Sequence, residues 1–297
     1  VSLREWHQKN SRVRMTEVVI RNEEGAQAMG KPVGVYLTLS APDMAGRGGG
    51  FHEEVAKELG CQLRMLLNRM CPQQGAQCSL LVVGLGNMQV TPHSLGPRVV
   101  DGLRMTRHFL AEYGDDYCEK NGLPVLSGIV PGVMAQTGME TAEIVRGIVE
   151  QTKPDVVLAV DALAARSVQR LATTIQLTDT GIRPGSGVGN HRQGLTRESL
   201  GVPVAALGIP TVTGAAAIVH GTVKALIRTL KLHEGTAGYG KYVEDLEPEG
   251  QYELIRELLE PEFGPMYVTP QDIDERVKSL SLTVSEGIRR ALYRERQ

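Results

Sequence analysis

The chain is expected to fold as an α/β protein: a twisted sheet, mostly parallel or mixed, with helices on both faces, plus an N-terminal strand pair and a C-terminal helical extension. Three observations predict this. The apolar runs Leu80–Val83 and Val156–Val160 are too short for free-standing helices, and the second is rich in the β-branched residues of a strand buried on both faces. Longer segments between such runs space their apolar residues with a helical period. Strand and helix signals alternate along the chain, which is the rhythm of βαβ units.

In chain order, Arg12–Arg21 and Val33–Leu39 read as two strands separated by a turn around Gly25–Pro32, and a loop runs from Pro42 to Gly50. Glu53–Met70 sets Val55, Leu59, Leu63, Leu66 and Leu67 on one helical stripe. Further strands are expected at Ser79–Val83, Val125–Val130, Asp155–Val160, Thr173–Thr178 and Val202–Leu207. Helices are expected near Ser94–Tyr113, Met139–Thr152, Ala164–Ala172 and Ala215–Leu232. Past Lys231 the composition shifts to Gly and charge over His233–Pro248, then turns helical at Tyr252–Leu259 and Gln271–Arg294. One domain over residues 1–297 is expected: N-terminal strands in 1–45, an α/β core in 46–233 and the C-terminal helical extension in 234–297.

A formal charge of −2, from 32 Lys plus Arg against 34 Asp plus Glu, argues against direct nucleic-acid binding and against an anionic membrane as partner. Aromatic residues make up 4% of the chain, too few for a base-stacking platform. The four cysteines lack Cys-x-x-Cys spacing, which suits free thiols in a reducing cytoplasm. No apolar stretch is long enough for a membrane span and the first ten residues are polar rather than signal-like, so no membrane role and no export are expected.

The strand endings carry the ionisable residues. Leu80–Val83 runs into Gly84-Leu85-Gly86-Asn87 and then Thr91-Pro92-His93, while Val156–Val160 runs straight into Asp161. In an open α/β sheet the carboxyl ends of parallel strands form the ligand crevice, so His93 and Asp161 are candidates to face one another there. A carboxylate at such an edge can act as general acid or base. The competing reading of Asp161 is a cap on the helix expected after it. His93 could accept a proton near pH 7 or bind a metal. The turn at Gly84–Asn87 allows close backbone approach, with N–H groups suited to an oxyanion, and brings Gly86 and Asn87 into the candidate site. Arg166 could orient a substrate carbonyl, and the Gly-rich loop Gly185–Arg192 offers His191 and Arg192 as a binding rim. No Gly-x-Ser-x-Gly elbow, His-Glu-x-x-His helix or phosphate loop is present.

Those residues resemble a known family. Val83–Asn87, Val90-Thr91-Pro92, Leu95-Gly96-Pro97, Thr106-Arg107-His108, Ser127–Thr141, Asp161–Arg166 and Gly208–Val212 are similar, in order and spacing over roughly residues 12 to 232, to the germination endopeptidases of spores. The resemblance implies a cytoplasmic endopeptidase of the spore core that hydrolyses small acid-soluble spore proteins. It also implies a homotetramer made as a zymogen, an unusual aspartic-type α/β fold, and distant similarity to hydrogenase-maturation proteases, which hold a metal near equivalent acids. Asp161 matches one of two catalytic aspartates.

The chain departs from the family pattern at the other. Where Thr-Pro-Asp is expected stands Thr91-Pro92-His93, and the acid expected after Pro-Thr-Val-Val is replaced by Gly214. The Arg-Thr-Asp-Leu-Ala stretch of the propeptide junction is missing, which suits a chain starting at or after maturation or one lacking that switch. Two aspartates share one proton between base and acid; a His–Asp pair divides those tasks differently. The resulting expectation is an endopeptidase whose water is activated between His93 and Asp161. No cofactor is expected, and a divalent ion, if one binds, would take those two residues. The alternatives are a catalytically impaired paralogue that binds or regulates, and a small-molecule- or nucleotide-binding α/β protein using the Gly84 turn.

Overall fold

The computed structural model describes residues 1–7, 11–45, 49–72, 78–185, 192–231 and 248–293. Nine strands form one sheet: β1 (Ser2–His7), β2 (Arg14–Ile20), β3 (Gly34–Ser40), β4 (Leu80–Gly84), β5 (Leu126–Ile129), β6 (Val156–Ala165), β7 (Thr174–Thr178), β8 (Val204–Gly214) and β9 (Tyr267–Val268). Their order is β1-β2-β3-β7-β8-β6-β4-β5, with β9 paired to the end of β8. The half made of β8, β6, β4 and β5 is parallel, and the half from β1 through β7 is antiparallel, including the seam between β7 and β8. The expected α/β class therefore holds in its mixed form.

Period-two alternation along the parallel strands sorts side chains to two faces. Leu80, Val82, Val156, Leu158 and Val160 pack on one face, with α2 (Gly49–Met70), α3 (Leu95–Asp101) and the last helix, α11 (Ile273–Leu292). Leu81, Val83, Val157 and Ala159 pack on the other, with Ala142, Val145 and Val149 of α7 (Thr141–Thr152) and Leu200 of α8 (Arg197–Leu200). The long runs without alternating polarity in β4 and β6 follow from burial on both sides. In α11, Ile273, Val277, Leu280, Val284, Ile288 and Ala291 join the larger core, so the C-terminal helix is one of its walls.

Several elements differ from expectation, each for a tertiary reason. Strand β1 extends the N-terminal strand pair to three; its residues are mostly exposed, so no apolar alternation marks it. The turn around Gly25–Pro32 contains α1 (Glu23–Met29), whose first turn is closed by Asn22 Oδ1 accepting from Gly25 N–H at 3.0 Å. The helix expected over Ser94–Tyr113 is two: α3 stops before Gly102, and α4 (Arg107–Tyr113) starts only after Thr106. Between them Thr106 N–H donates to Leu126 C=O at 2.9 Å and its hydroxyl accepts from Leu126 N–H at 3.1 Å, pulling the chain onto the edge of β5. No helix covers Ala164–Ala172; β6 runs on to Ala165 because β8, eleven residues long, pairs with it from Val157 to that end, leaving only a 3₁₀ turn at Val168–Arg170. The other helices are α5 (Asp115–Asn121), α6 (Met134–Thr137), α9 (Ala215–Lys231) and α10 (Pro248–Phe263). Most of the His233–Pro248 stretch lies outside the described residues.

Candidate active site

After β4 the chain moves to β5 on one side, and after β6 it moves through to β8 on the other, so the parallel half switches direction between β4 and β6. Adjacent strands whose exits diverge leave a crevice at their carboxyl ends. The crevice here is a cavity of about 280 Å³ lined by Leu85, Gly86, Asn87, His93, Gly132–Ala135, Glu140, Thr141, Asp161, Pro184, Gly185 and Arg192. The two strand-end residues thus share one cavity, together with Gly86 and Asn87.

His93 reaches it through a fold-back of the chain after β4. Thr91–His93 form a 3₁₀ turn, and His93 C=O accepts from Asn87 N–H at 3.1 Å. Two glycines permit this. Gly86 has φ +128° and any Cβ there would lie 2.0 Å from His93 O; at Gly96 a Cβ would lie 2.4 Å from both Leu85 O and Val160 O. Leu85 N–H donates to Val160 C=O at 2.8 Å, tying the two strand ends together. Of the N–H groups in this turn, those of Leu85 and Asn87 are thereby used, so the oxyanion role expected of the whole turn narrows to Gly86, whose N–H has no partner among the described residues.

A third strand supports the same loop. The β6–β8 register slips by one between Leu163 and Ala164, leaving Thr211 as an extra residue on β8. Its buried hydroxyl donates to Pro92 C=O at 2.7 Å, and Thr269 just past β9 donates from its hydroxyl to Thr211 C=O at 2.9 Å. Thr211 was not among the expected site residues: a bulge is a property of two strands in register, and one strand's sequence does not carry it.

Asp161 follows Val157 and Ala159 on the α7 face of β6 and is 5% exposed. It caps no helix, because β6 continues through it; that reading is overturned by the strand's length. Its Oδ1 accepts from Ala162 N–H at 2.8 Å. Burial raises its pKa to about 7, against the smaller opposing effect of the Ala162 bond. His93 keeps solvent-exposed surface, yet the cavity wall removes enough water to lower its pKa below the ordinary imidazole value. The rim holds a further pair: Arg192 lies 3.5 Å from Glu140, and Asn87 Oδ1 accepts from Gln136 Nε2 at 3.3 Å, joining the Gly86 turn to α6. Arg192 was expected at the rim, whereas Glu140 carried no signal of its own.

Arg166 does not join this site. It lines a separate cavity with Tyr252, Arg256 and Tyr267, and Gly214 lies there too. The extension of β6 as strand carries Arg166 past the crevice. His191 falls outside the described residues. Among the described residues no group of three His, Cys, Asp or Glu side chains could hold a metal ion.

A mixed α/β sheet with an acid and an imidazole at its switch point has the form of an enzyme working by proton transfer. Comparison with known proteins gives the family. The germination protease family model matches residues 1–236. A germination protease of Caldanaerobacter subterraneus is 44% identical over 98% of this chain and 88% of its own, one of Clostridium perfringens 42% over 94% and 84%, and one of Bacillus subtilis 36% over 91% and 81%. The chain belongs to the germination protease family. A solved hydrogenase maturation protease from Thermococcus kodakarensis aligns with 75% of this chain and 99% of its own at 15% identity and a TM-score of 0.33, too loose a superposition to argue from. Among the described residues, no helix is long and apolar enough to cross a membrane.

Proposed function

We propose that the chain is an endopeptidase of spore germination in which neutral His93 is the general base and protonated Asp161 the general acid. The observation that carries this is one cavity holding two groups displaced in opposite directions: His93 lowered and Asp161 raised to about 7. Near neutral pH the imidazole is free to take a proton while much of the carboxyl population still holds one. His93 removes a proton from a water as its oxygen attacks the peptide carbonyl. Asp161 gives its proton to the carbonyl oxygen, and the Gly86 N–H supports the charge that develops there. As the C–N bond breaks, the imidazolium protonates the leaving amine and Asp161 takes back its proton. This replaces a shared proton between two aspartates by one proton on each side of the reaction.

The family supports small acid-soluble spore proteins as substrates, a homotetramer, activation from a zymogen and action in the cytoplasm of the spore core. The reaction is proposed to run without a metal, and a chelator is expected to leave the rate unchanged.

The pH–rate profile tests the assignment. kcat/KM for a small acid-soluble spore protein is expected to rise as His93 loses its proton below pH 6.5 and to fall as Asp161 ionises near pH 7, giving a narrow bell. His93→Asp should move the activity to more acid pH. Undiminished activity of the wild type at pH 4 would sink the role of His93. An inactive wild type that gains cleavage through His93→Asp would identify a binding paralogue instead.

A further inference from the structure

The sheet has two outer edges, and they are built differently. Strand β1 carries Arg4, Glu5 and His7, charges of the kind that discourage pairing with another chain. Strand β5, with Val130 after it, reads Leu126-Ser127-Gly128-Ile129-Val130 and carries no charge. Its inner side is occupied by β4 in parallel register, Leu80 opposite Leu126 through Val83 opposite Ile129, with Leu80 N–H donating to Val125 C=O at 2.8 Å.

In a parallel ladder, alternate residues turn their backbone groups to the same neighbour. Val125, Ser127 and Ile129 therefore face β4, and Leu126, Gly128 and Val130 face outward. The Leu126 pair confirms this parity, because both of its outward groups are taken by Thr106, at 2.9 and 3.1 Å. Among the described residues nothing takes the N–H and C=O of Gly128 or the N–H of Val130. Gly128 is half-buried and Val130 is 37% exposed. Two residues past Val130, at most about 7 Å of chain, Gly132 begins the wall of the cavity that holds His93 and Asp161.

We propose that this part of the β5 edge binds the protein substrate as an added strand: an extended segment pairs its backbone with Gly128 and Val130 and runs on past Gly132, bringing a peptide bond to His93 and Asp161. The proposal rests on the reading of that cavity as the proteolytic site. Recognition of this kind selects for unfolded, extended chain rather than for one side chain, because main-chain hydrogen bonds supply the affinity. A folded substrate has its own backbone already paired and cannot add to the edge. Proline is tolerated only at those substrate positions whose N–H faces away from β5.

The test uses wild-type protein and a peptide spanning a cleavage site of a small acid-soluble spore protein, with single backbone N-methyl groups placed at successive residues away from the scissile bond. The expected kcat/KM falls about tenfold at alternate residues and little at those between, from the loss of one hydrogen bond and the bulk of the methyl group. Val130→Pro removes the outward N–H while Ser127 and Ile129 keep their pairing with β4; it should lower kcat/KM about tenfold, mainly through KM. Losses without a two-residue period, or a Val130→Pro enzyme with unchanged kcat/KM, overturn the proposal. If Val130→Pro alters the molar mass in light scattering while kcat/KM is unchanged, the edge joins copies of the chain instead. If the unmodified peptide is not cleaved, or is cleaved equally by Asp161→Asn, the cavity reading falls and the edge proposal with it; if cleavage depends on Asp161 but shows no period, only the edge proposal falls.

Discussion

Two cavities of about 280 Å³ open beside the last residues of β6, and only one looks reactive. The first holds Asp161, almost fully buried, with one backbone hydrogen bond and a pKa raised to about 7. The second has more charge: beside Arg166, Arg256 lies 2.8 Å from Glu253 and 3.6 Å from Glu260, with the side chains of all three between 42% and 49% exposed. Those side chains keep much of their surface exposed, so their pairing contributes little to stability. Reactivity follows from a charge the fold does not fully compensate. A buried carboxyl with a single backbone hydrogen bond marks the Asp161 cavity, whereas counting ionisable residues would have chosen the other.

The strongest way to break this comparison is Asp161→Asn. Loss of the acid should lower kcat about a thousandfold, measured on a small acid-soluble spore protein. The same change should stabilise the fold at high pH. Asp161 has an unfolded value near 3.8 and a folded value near 7, so the folded state holds the extra proton between them. Stability from this group is fully present below about pH 4 and is lost as pH rises through 7, a difference of up to about 4 kcal/mol. Thermal melts at pH 5 and pH 8 should therefore show the variant gaining more on wild type at the higher pH. Equal gains at both would mean that Asp161 is solvated.

Next in size is His93→Gln, expected to lower kcat about a hundredfold and to abolish the acid limb of the pH profile. A retained acid limb would assign that limb elsewhere. Thr211→Val tests whether the bulge positions His93: without the bond to Pro92 C=O, kcat should fall about fivefold and stability by about 1 kcal/mol. If only stability changes, Thr211 is structural. The smallest effect belongs to the second cavity. Arg256→Ala should change stability by less than about 0.5 kcal/mol and leave cleavage unchanged, read by melting and by kcat/KM; a large loss would show that charge density, not burial, marks function here.

Much of this was legible in local pattern. The apolar runs placed β4 and β6 because strands buried on both faces must be apolar throughout. Their endings pointed to His93 and Asp161 because loops at strand ends carry whatever side chains the interior excludes. The extension of β6 through Asp161 was not legible, since Ala162–Ala165 suits a helix equally well and only pairing with β8 makes it a strand. Arg166 was misplaced for that reason. Thr211 was invisible because its role is a register slip, and β1 because an exposed edge strand shows no apolar alternation.

The amino-acid sequence by itself determined the α/β class, the family pattern and the two residues that face the crevice, because burial on both sides of a strand and the residue types at its end are written locally. Only the tertiary structure decided that burial raises the Asp161 pKa to about 7 and that Arg166 belongs to another cavity. It also left backbone groups on the edge of β5 beside the site without partners among the described residues. Desolvation, register and strand neighbours are made by segments far apart in the chain, and they exist only once those segments have come together.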